Sequence, residues 1–176
     1  MKRCVMIGPE FVTEHFAIKG GYMPQLVFVG SEPESLCDAL GLSIEKWYAV
    51  CVYYSGESRT VLSDGGPLTC GLCMKYCDAG NPCYGCPIAY DGHFLCRETP
   101  YGDYVAAFVD GDFNRAKDAA FRELAYLESV CRRYGSASCD EKSFWRNRAR
   151  AFVFEHNAET IAELRELAEQ WGANND

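Results

Sequence analysis

Six of the chain's eleven cysteines fall between positions 70 and 96. They read Cys70-Gly71-Leu72-Cys73, Cys77, Cys83-Tyr84-Gly85-Cys86-Pro87 and Cys96, so two Cys-x2-Cys pairs are separated by nine residues. A Cys-x2-Cys turn carries two thiolates to one ion, and four thiolates around a tetrahedral centre is the usual way to hold a structural zinc. One pair alone would say little, but two this close predict one structural Zn2+ bound between Cys70 and Cys96.

More thiols are present than one ion needs. Ile88 to Leu95 reads as a tight hairpin with Asp91-Gly92 in the turn positions. Counting outward from that turn pairs Pro87 with Cys96 and sets Cys96 beside Cys86, because facing residues of paired strands lie ~5 Å apart. The candidate ligands are therefore Cys70, Cys73, Cys83, Cys86 and Cys96, any four of which would complete the site. Cys77, in the connecting loop, is a sixth. Cys4, Cys37, Cys51, Cys131 and Cys139 are isolated and read as buried small apolar side chains.

Other cysteine chemistries fit less well. An iron–sulfur centre also uses four thiolates, but the close three-cysteine run of bacterial ferredoxins is missing. Pro82-Cys83-x2-Cys86 matches half of the zinc-deaminase motif, yet no upstream His or Cys has a Glu two residues later to serve as acid and base. Cys70 and Cys73 could form a redox dithiol faced by Thr99-Pro100, but Cys77, Cys83 and Cys86 would expose it to mispairing. No Gly-x-Ser-x-Gly and no phosphate-binding glycine loop occurs, and His15, His93 and His156 have no metal spacing.

The elements that must position these cysteines divide the chain into residues 1–69, 70–111 and 112–176, expected to form one compact unit. Leu26 to Val29 predicts a strand closed by Gly30. Ser31 with Glu34 predicts a capped short helix that Gly41 ends, and Ser43 a cap for a second one. Ile44, Trp47, Tyr48, Cys51 and Tyr54 recur at helical spacing, with a buried strand as the alternative. Asp64-Gly65-Gly66-Pro67 is a turn. Asp112 predicts the cap of a long helix with Phe113, Ala116, Ala120, Leu124, Leu127, Cys131 and Tyr134 as its apolar stripe and Gly135 as its stop. A second helical stretch is expected over 140–171, broken near His156-Asn157.

Composition bounds the function. The net charge of −8 leaves no third of the chain basic, which disfavours general nucleic-acid binding. Within 140–176, Lys142, Arg146 and Arg150 fall at i, i+4 and i+8 with Arg148 beside them, a basic stripe that could meet phosphate or an acidic protein surface. The blander reading is a solvated helix face. No run of ~18 apolar residues predicts a membrane span, and the N-terminus lacks a signal-peptide pattern, so a cytoplasmic protein is expected. In a reducing compartment clustered thiols turn toward metals rather than disulfides.

The pattern Cys70-x2-Cys73, Cys83-x2-Cys86-Pro87, Cys96-x2-Thr99-Pro100-Tyr101, then a helix carrying Glu123 and Ala125 to Ser129, resembles a group of small cysteine-rich proteins of tailed bacteriophages. The resemblance covers about residues 70–134, and Cys77 departs from it. It implies a phage source, a host-cell cytoplasmic location and zinc binding, without implying an activity. The expectation is an α+β protein in which a zinc-stapled knuckle and hairpin packs on long helices beside a mixed N-terminal segment. Its expected role is a non-enzymatic interaction protein that modulates a host protein of defence or metabolism. The alternatives are an enzyme with a structural zinc and an N-terminal catalytic site, or a nucleic-acid binder using the basic stripe. A homodimer stays open.

Overall fold

The computed structural model describes residues 4–7, 11–18, 21–28, 32–56, 59–77, 83–90, 93, 95–134 and 153–156. It is an α+β arrangement dominated by helices. Strands β1 (Cys4–Ile7), β2 (Phe11–Ile18), β3 (Gly21–Phe28) and β4 (Val153–His156) pair antiparallel in the order β3-β2-β1-β4. The strand expected at Leu26 falls at the end of β3. The helix expected over 140–171 is corrected at Val153–His156, where a β-branched and aromatic run pairs with β1 instead.

One helix, α1 (Leu36–Ser55), runs through the middle of the molecule. Its cap is Ser35 rather than Ser31: Ser35 Oγ accepts from the Asp38 amide and Asp38 Oδ2 accepts from the Ser35 amide, both at 3.1 Å. Gly41 does not end it, and Ser43 starts no second helix but lies inside α1. An interior glycine costs ~1 kcal/mol, whereas full burial of a leucine stabilises by ~1.5–3 kcal/mol, and Leu40 and Leu42 flank Gly41 in the core. Ile44, Trp47, Cys51 and Tyr54 are buried along α1, as their helical spacing predicts.

Two further helices close over α1. Thr99 caps α4 (Pro100–Asp110), its hydroxyl accepting from the Tyr101 amide, with Pro100 in the first turn and Gly111 at φ 69° as the stop. Asp112 leads α5 (Phe113–Tyr134) as expected, Oδ1 accepting from the Arg115 amide. The buried face of α5 is Ala116, Ala119, Ala120, Glu123, Leu124, Leu127 and Val130. Aromatic edges knit the helices: Trp47 meets Tyr104 at 5.0 Å and Tyr101 at 5.9 Å, and Tyr54 meets Phe113 at 5.1 Å.

The segment before the cysteines is tied to both parts. Leu62 is fully buried, and Ser63 exchanges backbone hydrogen bonds with β3, its amide donating to Pro24 O at 2.9 Å and its carbonyl accepting from Leu26 N at 2.7 Å. A 3-10 turn, Gly66–Thr69, then delivers the chain to Cys70.

The hairpin expected over 88–95 is corrected. Pro87–Tyr90 forms a single helical turn, α3, and Cys96–Glu98 forms a 3-10 turn. Pro87 suits a first helical turn because it has no amide to leave unpaired, and the Cys86 carbonyl accepts from Ala89 at 2.9 Å. Asp91, Gly92 and Gly135 lie outside the described residues.

Candidate metal centre

Three separate stretches of chain bring the cysteines together. Cys70 opens helix α2 (Gly71–Tyr76), which sets Cys73 nearly one turn further on. Helix α2 lies against α1 with no room to spare: a Cβ on Gly71 would stand 2.5 Å from Ala39 O and 2.8 Å from Leu42 Cβ. Cys83 and Gly85 adopt positive φ, 68° and 81°, and fold the second pair into a turn in which the Cys86 amide donates to Cys83 O at 3.1 Å. Cys96 begins the 3-10 turn before α4.

Cys70, Cys73, Cys83, Cys86 and Cys96 line one small cavity, walled otherwise by Leu72, Ile88, Ala89 and Leu95. Cys96 reaches it from a 3-10 turn and not from a paired strand. Cys77, at the end of α2, is exposed. As the side chains stand, among the described residues no group of three or more His, Cys, Asp or Glu is placed so that it could hold a metal ion. The donor chemistry fits a soft four-coordinate cation, but the thiols are gathered without being closed on one point.

The charge state follows from neighbours and burial. A hydrogen bond from the Cys73 thiol brings Cys70 down to about 5, against the cost of burial and with help from Lys46, the Cys73 amide and Ser43. The same bond, with burial, holds Cys73 far above the ordinary thiol range. Burial pushes Cys86 and Cys96 up to about 11 each, and burial and Cys77 raise Cys83. A coordinating cation reverses that preference for the neutral thiol, because a metal-bound thiol loses its proton.

A ring of polar groups surrounds the cysteines. Ser43 Oγ donates to Ala39 O at 2.9 Å, accepts from the Leu72 amide at 3.0 Å and lies 3.6 Å from Cys70 Sγ. Lys46 Nζ is buried between Asp64 Oδ2 at 2.6 Å and Gly66 O at 3.2 Å. Burial works against its charge, but Asp64, Cys70 and Cys73 outweigh that and hold the ammonium above its ordinary value. Thr99 Oγ1 stands 2.6 Å from Cys96 O and 2.9 Å from Glu123 Oε2, which also accepts from the Tyr101 amide at 3.0 Å. The threonine has one hydroxyl proton to share between these two acceptors. Burial lifts Glu123 to about 7 against the hydrogen bonds from Thr99 and Tyr101.

A second cavity adjoins the first and shares Cys70, Cys73 and Cys96 with it. Lys46, Trp47, Tyr101 and Glu123 complete much of its wall. Sequence reading missed Ser43, Lys46, Asp64 and Glu123 as neighbours of the cysteines. Two signals were present: a lysine between Ile44 and Trp47 on an apolar helix, and a glutamate on the buried stripe of α5.

The remaining candidates stand apart. Lys142, Arg146, Arg148 and Arg150 lie outside the described residues. Cys51 is buried, and burial pushes its thiol up to about 12; Cys131 is half-buried. Cys37, expected as a free thiol, is in a disulfide, which weakens the argument from a reducing compartment. No described helix is long and apolar enough to cross a membrane. No protein-family model matches this chain, and neither a curated protein nor a solved structure matches it.

Proposed function

We propose that the chain is a zinc-stabilised interaction protein of phage type, which binds and modulates a host protein without catalysing a reaction. The observation that carries the zinc reading is the convergence of Cys70, Cys73, Cys83, Cys86 and Cys96, from three stretches of chain, on one cavity. Thiolates in Cys-x2-Cys turns are what a structural zinc takes, and such a site contributes folding energy directly. The host-directed part rests on the resemblance to phage cysteine-rich proteins.

Binding to a partner is supported by two side chains next to the cysteines. Leu68, in the turn before Cys70, is 78% exposed, and Tyr84, between Cys83 and Cys86, is 75% exposed. Single exposed apolar residues are ordinary. Here both sit on the segments that the metal would hold rigid, and a rigid aromatic anchor is a frequent centre of protein recognition.

A second reading, an enzyme, is favoured by the cavity where Lys46, Tyr101 and Glu123 meet from three helices. Converging polar groups in an apolar pocket are the default mark of an active site. Those groups already have partners, Lys46 in Asp64 and Glu123 in Thr99 and Tyr101, and they fasten α1 to the turn before Cys70 and α5 to the start of α4. The structural role accounts for them without a substrate.

Elemental mass spectrometry on untagged protein tests the metal, and a host-lysate pull-down on the same preparation tests the partner. Zinc should be present and be lost together with folding in Cys83→Ser/Cys86→Ser. One host component should be retained by the zinc-loaded chain and released by Tyr84→Ala. Iron or no metal defeats the zinc reading, and equal retention by wild type and Tyr84→Ala defeats the proposed anchor.

A further inference from the structure

Lys46 and Glu123 have more hydrogen-bonding capacity than their neighbours use. An ammonium carries three protons, and Lys46 Nζ has two acceptors among the described residues, Asp64 Oδ2 at 2.6 Å and Gly66 O at 3.2 Å. The Trp47 and Tyr101 rings flank it at 5.4 and 5.9 Å, too far to accept the third proton as a hydrogen bond. Glu123 is engaged on one side: Thr99 Oγ1 at 2.9 Å and the Tyr101 amide at 3.0 Å both reach Oε2, and no described residue reaches Oε1. Each side chain belongs to a residue only 2% exposed, so bulk solvent does not serve either one.

Both residues line one cavity, with Trp47, Leu72, Tyr101 and Leu127 among its other walls, and its volume is about 50 Å³. Pockets for substrates and cofactors run to ~300–1,000 Å³, so this one is too small for a nucleotide, a sugar or an amino acid. A water has a share of ~30 Å³ in the liquid and is held inside a protein by about two to four polar partners. The cavity matches that size, and Lys46 and Glu123 supply the partners.

We propose that this cavity is a hydration site, in which a buried water is hydrogen-bonded to both Lys46 Nζ and Glu123 Oε1. No hydrogen bond joins these two residues directly, yet the lysine's charge acts on the carboxyl. They are near without touching, which is the separation a water bridges. Water suits the carboxyl in either protonation state, since it can donate to Oε1 or accept from it.

The water joins two sets of contacts that are otherwise separate. On one side Lys46 holds Asp64 and the turn before Cys70; on the other Glu123 holds Thr99 and the Tyr101 amide at the start of α4. The bridge ties α1 to α5 beside the cysteines, and it does so whether or not they carry an ion. It also gives the converging polar groups an occupant that is not a substrate, in line with a role without catalysis.

The test is a high-resolution crystal structure of the full-length chain, with a second crystal held under xenon. A water peak ~2.7–3.2 Å from both Lys46 Nζ and Glu123 Oε1 is expected, with no xenon there. Xenon in the cavity, or no ordered water, overturns the proposal, because a dry apolar cavity takes up xenon. A larger molecule retained there through purification overturns it too and restores the enzyme reading. In solution, oxygen-17 relaxation should count at least one more long-lived water in the wild type than in Glu123→Leu, while Glu123→Gln, which keeps a polar atom in place, should match the wild type. Equal counts in the wild type and Glu123→Leu refute the bridge, and if Glu123→Leu does not fold, the wild-type crystals decide.

Discussion

Lys46 Nζ stands 2.6 Å from Asp64 Oδ2, and both side chains are out of solvent, so helix α1 and the turn before the first cysteine are fastened by a buried ion pair. Removing one partner of such a pair costs ~3–5 kcal/mol, because the other charge is left uncompensated, whereas replacing both by apolar groups can be neutral. Asp64→Ala should therefore destabilise the chain by about that amount in urea unfolding, and Lys46→Met/Asp64→Leu should recover most of the loss. Equal loss in the single and double variants would show that the pair does not act as a unit.

Glu123 makes stability depend on pH. Its carboxyl is raised from 4.5 to about 7 in the folded chain, mainly by burial, so the native state holds the proton more tightly than the unfolded state. The stabilisation is complete below about 4.5 and is lost as pH rises through about 7. Between about pH 5 and pH 8 the wild type should lose up to ~3 kcal/mol more than Glu123→Gln, since the thiols and any metal titrate in both. Parallel pH profiles for the two proteins would remove Glu123 from the account.

Close packing at Gly71 links the core to the cysteines. A methyl group there runs into Ala39 O and Leu42 Cβ, and the first of these is backbone that cannot yield. Gly71→Ala should cost ~1–3 kcal/mol. It should also weaken metal retention against a chelator, because α2 carries Cys70 and Cys73 away from α1. Lower stability with unchanged retention would mean that the cavity moves as one piece with α2.

The hydroxyls of Tyr54 and Tyr104 form a closed set with Leu62. Tyr54 accepts from the Leu62 amide at 3.1 Å, Tyr104 donates to the Leu62 carbonyl at 2.7 Å, and the two hydroxyls are 3.2 Å apart. Tyr54→Phe strands a buried amide, at ~1–3 kcal/mol. Because the groups share partners, the Tyr54→Phe/Tyr104→Phe double variant should cost clearly less than the two single losses added. Strict additivity in thermal unfolding would break the network into independent bonds.

The cysteine gathering was legible because Cys-x2-Cys spacing encodes local geometry, and local geometry survives errors about what surrounds it. Cys96 shows the limit: its place beside the others was expected from a hairpin, and it arrives there through a 3-10 turn anchored by Thr99. Helix boundaries failed where tertiary burial outvoted a local signal, as at Gly41. Thr99-Pro100 is a helix start of the ordinary capped kind, but its nearness to the cysteines made a redox partner the competing interpretation. Lys46, Asp64 and Glu123 come from distant parts of the chain, and no spacing rule relates them.

The backbone at Cys83 sets two demands against each other. Its φ of 68° suits glycine, while the cavity calls for a sulfur. Cys83→Gly should therefore relax the turn that Cys83→Ser leaves strained, so the two variants separate the cost of losing a ligand from the cost of holding one in place. A metal-free chain bearing glycine would outlast one bearing serine, and with metal supplied neither would match the cysteine. On the zinc reading proposed above, the backbone at this position bears strain for the sake of the ligand it carries.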